Sequence, residues 1–518
     1  MPLAKSNAIS LIGLSGTVVE VEADISSNLP GFVLVGLPDA SLSEASARVR
    51  AAITNSGLKL PARKITVNLS PAAVPKFGSS FDLAIAISVL AANSPFENSR
   101  LAECVHIGEL SLDGLVQPVN GVLPSVMAAR NAGFSVAVVP IANASEARLV
   151  SGIEVIGVTD LRQAVRVHDA RTSATELSVS ECLDQKISDS NDKDISDIYG
   201  QDLAVESMIV AAAGGHHMLM VGSPGVGKTM MAERFAGLLP NLSIEEAIET
   251  TAVHSIAKNR GSIGSGLITR PPFESPHHTA SAISLIGGGA GVPNPGLVSM
   301  AHNGVLFLDE APEFQQPALE VLRQALESGE VTISRSAGVA RFPARFQLIL
   351  AANPCPCGNS LNPKAQCVCT PLAKQRYMNR LSGPLLDRVD IRLQIQSINA
   401  TQALIARDKP DRLTTAQARK RVEVARLTAA DRLSGTGYQL NAQVPAALLR
   451  RRFAAPKQAT KLLDLSLQRG QISMRGYDRC LRLAQTLSDL EGSAVVDESH
   501  IAQAVLLRGS EQFSRQAA

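Results

Sequence analysis

The sequence predicts an α/β protein built on a parallel sheet, with a mixed strand-and-helix unit before that sheet and a helical unit after it. Three observations carry this. The apolar runs Met218–Val221, Val305–Leu308 and Phe346–Ala352 stop abruptly at a glycine turn, at Asp309-Glu310 and at Asn353, and the first is followed by helical spacing from Lys228 to Leu239. Strand, loop and helix in succession predict a parallel sheet whose ligand lies at the carboxyl ends of its strands. Residues 1–170 alternate strand-like and helix-like stretches, and residues 396–518 carry no strand-like run.

A chain of 518 residues is too long for one core, and roughly three domains are expected at ~100–200 residues each. In the first unit, the stretch around Ile9–Leu14 reads as an opening strand, not as a signal peptide, because Glu20, Glu22 and Asp24 follow quickly without a clear cleavage site. The valine-rich Gly16–Ile25 reads as a strand. A turn at Leu37-Pro38-Asp39 leads into helical spacing over Ser41–Ser56. Lys64–Leu69 alternates as a strand, Asp82–Ala92 is a compact apolar helix and Val136–Pro140 a short buried strand. Residues 171–195 are rich in Ser and Asp with few apolar residues and read as a solvated linker. The central unit is then 196–395. In the last unit, Leu404–Leu427 and Ile472–Leu490 have helical spacing.

Composition excludes several function classes. Apolar residues make up 45%, which fits a globular chain. Lys and Arg number 49 against 47 Asp and Glu, a net charge of +2, so any surface for nucleic acid must be local. No apolar run approaches the ~20 residues of a membrane helix. Aromatic residues are 3% with no tryptophan, which argues against extensive base stacking.

The central unit holds the chemistry. Gly222-Ser223-Pro224-Gly225-Val226-Gly227-Lys228-Thr229 has the spacing G-x-x-x-x-G-K-[ST]. Its glycines let backbone N–H groups wrap phosphates, and the helix that starts near Lys228 adds its positive end. Lys228 is expected on the outer phosphates of ATP and the Thr229 hydroxyl on Mg2+. Asp309, at the end of an apolar strand where a carboxylate needs a cation, is the expected second magnesium ligand. Glu310 is placed to polarise the attacking water as a general base. Asn before Pro is commonly a turn residue, but the position of Asn353 in this strand order points to orienting the water or touching the terminal phosphate. Charge on the departing phosphoryl group calls for an arginine, often from a neighbouring subunit. Arg388 is the candidate, with Arg475 as a second arginine acting from the helical unit; spacing alone does not single out either.

Glu330–Arg335 and Ala340–Pro343 flank a glycine-containing turn and read as a β-hairpin. Arg335 and Arg341 are candidates for phosphate contacts to DNA, with pairing to Glu327 and Glu330 in a solvated hairpin as the alternative. In the insertion Gly261–Gly296, His277 and His278 read as metal ligands, as DNA contacts or as part of a loop packed on a neighbouring subunit. Arg419-Lys420-Arg421 reads as a solvated helix face before it reads as a DNA contact. Seven cysteines, four of them between 355 and 369, suit a reducing, cytoplasmic setting more than a disulfide framework. Cys355, Cys357, Cys367 and Cys369 form C-x-C…C-x-C, open to three readings: a structural Zn2+ site, free thiols or a disulfide.

These motifs together resemble the ComM/YifB family of magnesium-chelatase-like AAA+ ATPases. The resemblance is carried by Asp197-Ile198-Tyr199-Gly200-Gln201, by Ala211–His217, by Pro272–Thr279, by Ala301–Glu310 and by Asn353–Gly358. It implies an AAA+ P-loop core with a C-terminal helical lid, adenine contacts from Tyr199 and Gln201, a trans arginine at Arg388 and a second sensor at Arg475. It also places the hairpin at the pore of a homo-hexamer. The N-terminal unit is similar to the Lon protease proteolytic fold through Pro75–Ser80, Gly108–Gly114 and Pro118–Gly121. Ser80 falls at the nucleophile's place, but Leu123 stands where the lysine base belongs, so a non-proteolytic domain is expected. The function implied is an ATP-dependent DNA motor, a helicase that drives branch migration in natural transformation. A metal-chelatase-type motor subunit and a protein remodeller are the alternatives.

Overall fold

The computed structural model describes residues 3–36, 39–76, 78–94, 96, 100–168, 193–257, 266–289, 293–335, 338–361, 365–398, 405 and 412–509, with 39–43 as backbone alone. Most of the expected linker, Leu37-Pro38, Phe77, parts of the Gly261–Gly296 insertion, Ser336-Ala337 and nearly all of the start of the Leu404–Leu427 helix lie outside the described residues.

The first unit is organised by a seven-stranded mixed sheet. Its strands are β1 (Leu3–Ile12), β2 (Ser15–Ser26), β3 (Gly31–Val35), β4 (Lys64–Ser70), β5 (Cys104–His106), β8 (Val136–Pro140) and β9 (Glu154–Val158), in the order β3-β4-β2-β1-β5-β8-β9. A short ribbon, β6 (Glu109–Leu110) with β7 (Val116–Gln117), stands apart from it. β2 alternates buried and half-exposed residues, as a strand with one covered face must. The helix Asp82–Asn93 is buried almost all round, which explains why its apolar residues show no single stripe. Strands β3, β5 and β9 have no counterpart in the sequence reading; each is five residues or shorter, too brief for a clear period.

The central sheet has five strands, all parallel: β10 (Met218–Gly222), β11 (Phe273–Glu274), β14 (Val305–Leu308), β17 (Gln347–Ala352) and β18 (Ile391–Ile395), ordered β11-β14-β17-β10-β18. β10, β14 and β17 are buried at every residue, which matches their unbroken apolar character and a sheet covered on both faces. Two ribbons flank it, β12 (Gly287–Gly288) with β13 (Asn294–Pro295), and β15 (Glu330–Arg335) with β16 (Gly338–Pro343).

One face of this sheet shares its core with the helices Thr415–Leu433, Lys457–Gln468, Met474–Glu491 and Glu498–Arg508. No strand occurs among the described residues beyond Leu413. A buried polar bridge locks these helices to the sheet. His216 Nε2 lies 2.8 Å from Thr486 Oγ1 and its Nδ1 3.1 Å from Asp390 Oδ2, and Asp390 also meets Arg479. These partners hold the fully enclosed Asp390 carboxyl well below the usual carboxylate range despite its burial. His216 therefore docks the C-terminal helices, whereas His217 Nδ1 accepts from Leu348 N on β17 at 3.0 Å.

The opposite face of the sheet is covered by the β15–β16 hairpin and the helix Gln316–Ser328. The β1–β2 turn of the first unit reaches this layer. Ile12 and Leu14 pack into the cluster that contains Val331, Ile333, Ala340 and Phe342. Gly13 is so close to β16 that a Cβ there would sit 2.8 Å from the Arg341 carbonyl oxygen.

Candidate active site

The strand order explains why three distant segments meet. β14, β17 and β10 are neighbours and parallel, so the residues that follow them, Asp309, Asn353 and Ser223–Thr229, emerge at one edge of the sheet. The loop after β10 turns through Gly225 (φ +79°) and Gly227 (φ +92°), a region L side chains avoid, and delivers the helix Lys228–Phe235 with its amino end toward the cradle.

Lys228 is buried, and its ammonium donates to three acceptors: the carbonyls of Gly222 (2.7 Å) and Ser223 (3.0 Å) and Asn353 Oδ1 (3.1 Å). Burial pushes this lysine below its ordinary range, with Asp309 and Glu310 opposing. Thr229 Oγ1 donates to Asp309 Oδ2 at 2.6 Å, so the hydroxyl and the carboxylate expected to share a magnesium ion already face each other. Asp309 Oδ1 accepts from the Glu310 backbone N–H at 2.9 Å. Glu310 has φ +49°, ψ +44°, a left-handed conformation worth about 1–3 kcal/mol of strain in a non-glycine residue.

A glycine-lined cradle, a lysine held at its mouth and a hydroxyl–carboxylate pair beside it fit a polyphosphate with Mg2+. An ion held by Thr229 and Asp309 would supply charge neutralisation to the phosphates. The loop N–H groups, Lys228 and Asn353 are placed to position such phosphates, and Glu310 would hold the proton of an attacking water.

Two further side chains stand at this edge. His278 Nδ1 lies 3.4 Å from Glu310 Oε2. Of the three readings of His277 and His278, none foresaw this contact; the signal was the hallmark string Pro272–Thr279, which contains β11. Tyr377, buried on the helix Pro371–Met378, has its phenol pushed up to about 12 by burial first, then by Glu313 and Glu310.

The residues expected at adenine sit at the neighbouring strand. Gln201 Nε2 donates to the Gln396 carbonyl at 2.7 Å, just past the end of β18, and the Arg412 guanidinium lies 4.5 Å over the Tyr199 ring. Gly200, Gln201 and Leu393–Ile398 line a cavity of about 430 Å³.

The two candidate arginines are elsewhere. β10 and β18 run parallel with Met218 opposite Ile391 and Gly222 opposite Ile395. Arg388 precedes β18, so it lies at the edge of the sheet opposite the phosphate loop, more than ~13 Å away at ~3.3 Å per residue. Its guanidinium meets Glu327 and donates to the Pro384 carbonyl at 2.6 Å. Arg475 is also at that edge, its guanidinium 3.1 Å from Asp387 Oδ2, with its side chain 80% exposed.

In the hairpin, Thr332 pairs with Arg341 and Arg335 with Gly338. Both arginines are exposed, and neither has an ion-pair partner among the described residues. The alternative pairing is not seen: Glu327 is engaged by Arg388 and Arg323. Arg419 donates to the Gly237 carbonyl and Arg421 pairs with Glu206, so that stretch is largely committed within the chain.

The sulfurs of Cys355, Cys357, Cys367 and Cys369 all lie within 4.8 Å of one another. Among the described residues they are the one group of three or more ligating side chains placed to share an ion. In the first unit, no hydrogen bond reaches the Ser80 hydroxyl among the described residues. Leu123 is wholly buried, and the nearby Lys76 is spent on the carbonyls of Pro71 (2.6 Å) and Val74 (3.1 Å).

The chain matches three family descriptions in sequence: "Subunit ChlI of Mg-chelatase" over residues 21–143, "Magnesium chelatase, subunit ChlI" over 194–403 and "Magnesium chelatase, subunit ChlI C-terminal" over 412–508. It is 47% identical over 509 residues to the uncharacterized protein Rv2897c of Mycobacterium tuberculosis, covering 98% of this chain and 99% of that one. It is 38% identical over 508 residues to the competence protein ComM of Haemophilus influenzae, covering 98% and 97%. The uncharacterized protein YifB of Escherichia coli is 38% identical over 518 residues, covering 99% and 98%. A partial likeness, 30% identical over 173 residues, links 30% of this chain to 28% of Lon protease 2 of Bacillus subtilis. Among the described residues no helix is long and apolar enough to cross a membrane.

Proposed function

This chain belongs to the ComM/YifB family of magnesium-chelatase-like AAA+ ATPases with an N-terminal Lon-protease-like domain, and from that premise we propose that it is an ATP-driven hexameric DNA motor acting on branched DNA during uptake and recombination. The observation that carries the ring half of this reading is the opposition of Arg388 to the phosphate loop across the sheet. An arginine that cannot reach its own nucleotide but sits on an exposed edge suits a neighbour's site. Arg475, at the same edge, would serve the same neighbour. Head-to-tail contacts of this kind close into rings.

The DNA half is supported by the hairpin. Arg335 and Arg341 are exposed cations without carboxylate partners among the described residues, on a ribbon whose Val331, Ile333, Ala340 and Phe342 are buried. Contacts to phosphates need no sequence and weaken with salt. Steady-state ATPase is the assay, with single-stranded, duplex, forked and four-way DNA as activators. Stimulation should be largest with a branched substrate. Arg335→Ala with Arg341→Ala should lose most of it, with a shallower salt dependence and unchanged basal turnover. Equal stimulation of wild type and variant removes the hairpin from DNA contact, and no stimulation by any DNA removes the motor reading.

We read residues 1–170 as a scaffold without peptidase activity, 171–195 as a linker, 196–395 as the ATPase core and 396–518 as the lid. Among the described residues no base is bonded to Ser80: apolar Leu123 fills the expected lysine position and Lys76 is bound to carbonyls. Casein degradation by the purified protein should equal the buffer blank; activity that vanished in Ser80→Ala would overturn the scaffold reading.

A further inference from the structure

The cysteine cluster sits against the nucleotide site. Cys355 follows Asn353 by two residues, and Thr370, next to Cys369, caps the helix Pro371–Met378 that carries Tyr377. Cys355 is completely buried. Its sulfur lies 3.4 Å from that of Cys357 and 3.8 Å from that of Cys367, and the Cys357 and Cys367 sulfurs are 3.7 Å apart. Four thiolates on one Zn2+ at ~2.3 Å would have sulfur–sulfur edges of about 3.8 Å. The three edges among Cys355, Cys357 and Cys367 are close to that value and the Cys369 sulfur lies within 4.8 Å of the others, and a shell of four sulfurs leaves no open position for chemistry, so a structural ion fits where a catalytic one does not. Without a cation, four thiolates this close would repel one another.

The turn Cys355–Gly358, which carries the first two cysteines, is in direct contact with the phosphate loop. Gly358 has φ +76°, and a Cβ built on it would lie 2.6 Å from both Cγ and Cδ of Pro224. Pro224 is the third residue of the phosphate loop, so the cysteine turn backs the loop at a point where no side chain would fit. On the far side, Lys374 donates to Ser360 Oγ at 2.9 Å, tying the cysteine loop to the Tyr377 helix.

We propose that Cys355, Cys357, Cys367 and Cys369 hold one structural Zn2+ ion, and that this ion fixes the phosphate loop in its nucleotide-binding shape through the Gly358–Pro224 contact. The second half rests on reading residues 222–229 as the nucleotide site; the first half does not.

Elemental analysis by plasma mass spectrometry tests the ion on full-length protein purified under reducing conditions without added metal. About one zinc per chain is expected in wild type and in Lys228→Ala, and almost none in Cys357→Ser with Cys369→Ser. Titration with a fluorescent ATP analogue tests the coupling. Gly358→Val should keep its zinc but bind the analogue about tenfold more weakly, because Pro224 must move. Wild type stripped of zinc by a chelator should show a similar loss, reversed by adding zinc back.

Reduced wild type without zinc, or with iron in its place, overturns the site. Full zinc with unchanged analogue affinity in Gly358→Val and in the stripped protein overturns the coupling. Wild type that carries zinc but binds no analogue overturns the nucleotide reading and with it the coupling, while the zinc site stands on its own measurement.

Discussion

Glu310→Gln is expected to lower ATP turnover by about two to four orders of magnitude while leaving ATP bound. The contact between Lys228 and Asn353 does not involve this side chain, and Asp309 keeps its own contact with Thr229. What is lost is the negative carboxylate that would hold the water's proton. Glutamine is isosteric, so the left-handed turn at Glu310 and the approach of His278 need not change. Phosphate release and retention of a fluorescent ATP analogue, measured on the same preparation, check this. A variant that loses turnover and binding together would show that Glu310 helps to build the pocket; one that keeps turnover would move the base elsewhere, with Tyr377 and His278 next in line. Lys228→Ala is the control, because it should fail at the binding step.

Arg388→Ala should reduce turnover by roughly 10³-fold or more without weakening nucleotide binding by the same chain. β18 and β10 are in parallel register, which puts Arg388 at the far edge from its own phosphate loop. The ion pair with Glu327 keeps the guanidinium there, and neighbouring Arg323, Arg479 and Arg475, after burial, hold it below its usual range. Mixing makes the test decisive. Equal amounts of Arg388→Ala and Lys228→Ala chains, each inactive alone, should regain activity, since random assembly leaves about a quarter of the interfaces with both residues intact. If each site were complete within one chain, mixing would restore nothing. Arg475→Ala mixed in the same way asks whether the second arginine works across the same interface.

Much of this site was legible in the sequence because its parts sit where apolar strands end. A strand buried on both faces has no reason to stop at Gly222, Asp309 or Asn353 unless those residues face a ligand, and the parallel order β14-β17-β10 puts the three stops side by side. The first and last units were legible for a similar reason: long alternating or helical stretches such as Ser15–Ser26 and Met474–Glu491 state their own period. What escaped were contacts made by elements too short to have a period. His278 reaches Glu310 because the two-residue strand β11 adds to β14, and nothing in Phe273-Glu274 alone announces a strand. Likewise, the arginine at position 475 reads as part of a helix start, and only the docking of that helix through Asp390 and Thr486 reveals which edge of the sheet it occupies.

The close approach of Gly13 to the Arg341 carbonyl has a mechanical consequence. Ile12 and Leu14 are wedged in the same packed layer as the inner face of the hairpin, and close-packed layers transmit displacement instead of absorbing it. A hairpin gripped in this way has no stroke of its own. Any displacement of β16 is shared with β1 and β2, and through them with the seven-stranded sheet, so the first domain and the ribbon shift as one body.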